Sequence, residues 1–132
     1  MPLWRVSAIN TKEVIMSTRD IQTSLQRIHD ILVNHPGDSA DWIASIIGLA
    51  KTDESEFYRL LNTKRMWGGA GSIASQALED NPGIDDWTWK MNIREFRELM
   101  IELGQHLQAR GSHYPDISSW LLAYSNWNQS EI

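Results

Sequence analysis

The side chains suited to proton transfer or metal ligation near neutral pH are four histidines, His29, His35, His106 and His113. No two of them stand four apart, and no His-Glu-x-x-His run occurs, so helical zinc ligation has no support. They read as surface or capping residues. Cysteine is absent, which removes thiolate nucleophiles, thiolate metal sites and disulfides. No Gly-x-Ser-x-Gly elbow presents a serine. Asp85 and Asp86 are paired carboxylates, but adjacent loop positions do not by themselves define an acid–base couple. No catalytic residue, metal ligand or cofactor is assigned, and the expectation is a protein that is not an enzyme.

One stretch has the composition of an anion cradle, Met66-Trp67-Gly68-Gly69-Ala70-Gly71-Ser72-Ile73. A phosphate loop needs Gly-x-x-x-x-Gly-Lys-Ser/Thr, or Gly-x-Gly-x-x-Gly after a strand, and this run is neither. The amides ahead of Ser72 could receive an anion at a helix start. The simpler reading is a structural turn. Glycine reaches positive φ and allows close backbone approach, which lets Trp67 fold under the rest of the chain. Ser72 then suits the cap of a short helix over residues 73–78.

The elements that hold these positions follow from apolar spacing. Ile21, Leu25, Ile28 and Leu32 recur at four, three and four, predicting a helix from Thr18 that Asn34-His35-Pro36-Gly37 ends. Asp38 or Ser39 caps a second helix carrying Trp42, Ile43, Ile46, Ile47 and Ala50. Thr52 or Asp53 opens a third, with Asp53, Glu54 and Glu56 crowding its positive end and Phe57, Leu60 and Leu61 facing inward. Residues 80–86 read as a loop. Asn92, with Glu95 three residues on, is the expected cap of a long helix through Ile93, Phe96, Leu99, Met100, Leu103 and Leu107, stopped at Gly111. Gly104 lies inside it, where a neighbour is expected to pass close. Tyr114-Pro115-Asp116 opens a last helix with Ile117, Trp120, Leu121, Tyr124 and Trp127. The fold class is all-α, a compact bundle of about five helices with short loops. Residues 1–15 form an N-terminal arm, 16–127 a single helical domain and 128–132 a flexible tail.

At 132 residues the chain suits one core. Its formal net charge of −5 argues against nucleic acid as a partner and favours a basic protein. No apolar run is long enough for a bilayer, and no leader pattern opens the chain, so a cytoplasmic location without membrane contact is expected. Seven tryptophans exceed what a small helical core needs. No basic residue occurs between Arg65 and Lys90, an interval that holds Glu79, Asp80, Asp85 and Asp86 beside Trp87 and Trp89. Carboxylates steer a basic partner and indoles anchor it. The candidate contact residues are Trp67, Asp85, Asp86, Trp87 and Trp89, with Asp53, Glu54 and Glu56 as a second acidic patch.

The Trp-Gly-Gly-x-Gly-Ser run at Trp67–Ser72 resembles the mark of a family of small bacterial helical proteins, in which a turn and a later helix follow in the same order. The likeness covers roughly residues 21–107, and Ala70 stands where those proteins tend to have Met. Relatives of this type look like cytosolic antidotes encoded beside secreted polymorphic toxins. The resemblance therefore implies an immunity protein that occludes the active site of a cognate toxin, itself basic around that site. The alternatives are a homodimeric helical scaffold or regulator and an enzyme with an unfamiliar helical active site. Monomer and homodimer both remain open.

Overall fold

A computed structural model describes residues 17–130. The expected arm at 1–15 lies outside the described residues, as do positions 131 and 132 of the expected tail. Among the described residues there are helices and no strands, the all-α bundle that the apolar spacing predicts.

Helix α1 (Thr18–Leu32) opens with a reciprocal cap. Ser17 Oγ accepts from the Asp20 amide at 3.2 Å, and Asp20 accepts from the Ser17 amide at 3.0 Å. Its buried face contains the four expected apolar residues, joined by Ile31. Helix α2 (Ser39–Ile47) packs along α1. The expected apolar stripe from Trp42 to Ala50 is divided at Gly48, after which a single turn, α3 (Leu49–Thr52), carries Ala50 into the core. Asp38 precedes α2 without capping it, because its carboxylate instead accepts from Arg65 at 2.6 Å. Helix α4 (Glu54–Leu61) is capped by Asp53, as expected. One further turn, α5 (Lys64–Trp67), has no counterpart in the sequence reading.

The glycine stretch then leads into a 3₁₀ turn (Ala74–Leu78), and α6 (Asp86–Ala109) and α7 (Ile117–Gln129) pack against each other. The core joins Trp67, Phe57, Phe96 and Tyr124 with the aliphatic faces of α1 and α2. Gly104 marks the tight crossing of α6 and α7: a Cβ there would stand 2.7 Å from a methyl of Leu121. Gly111 adopts φ +111° just past the end of α6, the stop expected of it.

Two boundaries differ from expectation. Helix α6 starts at Asp86, so Asn92 lies inside it. Asp85 is the effective cap, accepting from the Thr88 amide at 2.7 Å. At the other end of the chain, residues 128–130 are not a tail. Asn128 is buried, donates to the Arg94 carbonyl and accepts from Arg97, which carries α7 one turn beyond Tyr124 and Trp127.

Candidate partner-binding surface

The loop between the 3₁₀ turn and α6 is held by one side chain. Asn81 Oδ1 accepts from the amides of Gly83 and Ile84, both at 2.9 Å. Its Nδ2 donates to the Ile84 carbonyl at 2.7 Å and to Asp86 at 3.1 Å. The backbone groups of a turn that would otherwise need water are satisfied internally. This lock lets α6 begin directly after the loop.

Four carboxylates flank it. Glu79, Asp80, Asp85 and Asp86 are all exposed. Among the described residues the ion pairs are Arg27–Glu95, Arg59–Glu56 and Arg65–Asp38, and His29 lies 3.1 Å from Asp30, so none of the four has a cation at ion-pair distance there. Hydrogen bonds from Thr88 hold the Asp85 carboxyl below its usual range, which keeps it ionised. Directly after Asp86 in the chain, Trp87 is 69% exposed. Met91 follows one helical turn later on the same face, and Leu78 at the end of the 3₁₀ turn is also exposed. Trp89 points the other way and is half-buried, its ring 4.7 Å from that of His35. Beside it a notch of about 190 Å³ is lined by Ala77, Glu79, Trp89, Lys90, Ile93 and Arg97.

Trp67 does not belong to this surface. It has 0% exposure and no atom available to a partner. Its indole N–H donates to the Leu61 carbonyl at 2.8 Å, satisfying an orphan acceptor at the end of α4. Its own carbonyl accepts from Trp120 at 2.8 Å. The glycine stretch exists to make this burial possible. Gly69 and Gly71 take φ of +83° and +85°, and a Cβ at Gly68 would meet the Lys64 carbonyl at 2.7 Å. The amides of Gly69, Ser72 and Ile73 are bonded within this region, which withholds them from an anion. Ser72 Oγ accepts from the Ser75 amide at 3.2 Å, the kind of bond expected of it, but the element is a 3₁₀ turn whose cap position is Ile73, one residue later than expected.

The second acidic group is engaged locally and lies elsewhere. Asp53 caps α4, Glu54 accepts from the Thr18 hydroxyl at 2.7 Å, and Glu56 forms a two-pronged pair with Arg59. Thr18 begins α1, whereas His35, just past the end of α1, meets Trp89. A helix of this length spans on the order of 20 Å, so the two acidic groups are not one surface.

Two histidines expected at the surface are buried. His35 is 6% exposed, with Nδ1 3.1 Å from Gln76 Oε1. His106 Nε2 lies 2.9 Å from the Tyr58 hydroxyl, which lies 2.9 Å from the Thr18 hydroxyl. Proton accounting orients this chain. Thr18 donates to Glu54, so Tyr58 donates to Thr18 and His106 donates to Tyr58. Burial first, and then the nearby Arg110 charge, lower the His106 pKa. The signal for its burial was present in the sequence: His106 stands three residues after Leu103 on the inward stripe of α6.

A groove of about 810 Å³ runs between α1 and the α2–α4 segment and includes Arg19, Gln22, Lys51, Asp30 and Glu54 but no histidine among the described residues. Among the described residues no group of three or more His, Asp or Glu side chains could hold a metal ion, and no helix is long and apolar enough to cross a membrane. Compared with known proteins, the chain matches no family model, no curated protein and no solved structure.

Proposed function

We propose that the chain is an immunity protein: a small cytoplasmic inhibitor that binds a basic bacterial toxin and covers its active site. What carries this reading is Trp87, an indole exposed in the first turn of a long helix directly after a loop whose four flanking carboxylates have no ion-pair partner among the described residues. Such a site fits a cationic surface. The carboxylates raise the encounter rate, and the indole supplies apolar contact once water is expelled. The Asn81 lock fixes the loop beforehand, so little ordering is left to oppose association. The contact set becomes Asp80, Asp85, Asp86, Trp87 and Met91, with Trp89 supporting from behind and Trp67 removed.

A symmetric self-contact through the same patch is disfavoured, because it would bring two uncompensated acidic groups together. The inhibitor needs no covalent chemistry of its own. The test is co-expression with the variable C-terminal domain of a secreted protein encoded in the neighbouring reading frame. The two chains should co-purify at equal stoichiometry, and the small chain should restore growth of cells making the toxin domain. Growth arrest that persists despite full expression of the small chain would reject the proposal.

A further inference from the structure

His35 sits where three segments of the chain meet. Its own segment follows α1, Gln76 comes from the 3₁₀ turn, and Trp89 comes from the first turn of α6. Gln76 Oε1 can only accept, so the neutral ring donates through Nδ1 and leaves its lone pair on Nε2. That Nε2 is buried and has no hydrogen-bond partner among the described residues. The geometry therefore accommodates one charge state. The neutral ring packs at a tilt of 33° against the indole and bonds Gln76. A proton added at Nε2 would have no acceptor in the site.

The charged group that acts on the ring is Glu79, on the segment leaving the 3₁₀ turn. The 3₁₀ turn itself offers the neutral Gln76 amide, and α6 offers the neutral Trp89 ring. The cationic ring can be satisfied by drawing Glu79 inward or by leaving its place under Trp89. Either movement disturbs the base on which the Trp87 turn rests. We propose that His35 and Trp89 form a proton-sensitive latch, closed when the imidazole is neutral and opened by its protonation, so that mild acid loosens the contact surface and releases its basic partner. The release depends on the partner-binding proposal above; the latch does not.

Burial lowers the His35 pKa from 6.5, with Gln76 and Glu79 opposing that shift. An opened, hydrated ring titrates near the ordinary value, so acid favours the open form. Between about 6.5 and the folded-state value, the open population should rise about tenfold per pH unit.

The isolated protein suffices for the first experiment. Histidine ring shifts and amide exchange are followed by NMR from about pH 8 to pH 5. The reporters are the amides of Thr88 and Trp89, which donate to Asp85 in the first turn of α6. Their protection factors should be constant above about 6.5 and fall about tenfold per unit below it, while His35→Phe should abolish that slope. His35→Leu is a second non-titrating variant, used if the Phe variant does not fold. Protection that is independent of pH in the parent, or that falls equally in both variants, would overturn the latch. A second experiment measures dissociation of the toxin domain, expected to be at least tenfold faster at about pH 5 than at pH 7 in the parent and unchanged in His35→Phe. A latch that opens in the free chain while the complex ignores pH would place the partner elsewhere.

Discussion

Replacing Trp67 by Phe should unfold the protein more readily without touching the partner surface. The substitution keeps an aromatic ring but removes the N–H that reaches the Leu61 carbonyl at 2.8 Å. A buried acceptor left alone costs about 1–3 kcal/mol. The missing part of the indole adds a cavity term, a fraction of the roughly 3–5 kcal/mol typical of Trp→Ala at full burial. Together the loss should be about 2–4 kcal/mol, a drop of about 7–14 °C in melting temperature for a chain of this size. Urea unfolding followed by far-ultraviolet circular dichroism measures it without relying on tryptophan emission. Trp87→Phe is the control. Its ring is 69% exposed, so its stability should stay within about 0.5 kcal/mol of the parent. If Trp67→Phe lies within that same margin, or if both variants lose equal stability, the assignment of one tryptophan to the core and the other to the surface is wrong.

Three other outcomes are expected. Asp85→Ala should lower the melting temperature by a few degrees through loss of the α6 cap, while Asp85→Asn, which still accepts from Thr88, should not; equal losses would exclude capping. Gly104→Ala should destabilise, because an overpacking cost of about 1–3 kcal/mol against Leu121 outweighs a helix-propensity gain of about 1 kcal/mol; a net gain would show that the crossing is looser than described. Folding stability should also fall in mild acid. His35 and His106 both have folded pKa values lowered from 6.5, chiefly by burial, so the unfolded chain binds protons first. Their contribution is complete above 6.5 and is lost as pH falls through 6.5 towards the lowered values, at up to about 1.4 kcal/mol per unit for each group. Denaturation midpoints from pH 8 to pH 5 read this slope, and His35→Phe should reduce it to the share of His106; an unchanged slope in that variant would remove His35 from the account.

Features with a local cause were legible in the sequence. The spacing from Ile21 to Leu32, the Asp53 cap and the stop at Gly111 each rest on residues in or next to one element, and a glycine inside a helix marks Gly104 as a point of close approach although its neighbour Leu121 lies on α7. Features decided across elements were not. Asp85 and Asn92 both have cap chemistry, and the choice between them falls to the Asn81 lock, whose bonds are invisible in a periodicity. Trp67 and Trp87 are chemically identical. One reaches an orphan carbonyl at the end of α4 and the other finds no acceptor to draw it inward. The helical continuation through residues 128–129 was not legible, because Asn128 is a polar residue whose partners, the Arg94 carbonyl and the Arg97 guanidinium, lie on the neighbouring helix. His106 is the intermediate case: its position on the inward stripe was readable, but its partner Tyr58 was not.

The most direct test is the affinity of the toxin domain from the neighbouring reading frame for the parent and for Trp87→Ala, measured by calorimetry at neutral pH. An anchor of this kind is worth about 2 kcal/mol or more, so binding should weaken at least about thirtyfold while the melting temperature of the free variant stays that of the parent. Parent-like affinity in Trp87→Ala would contradict the placement of the partner at the start of α6.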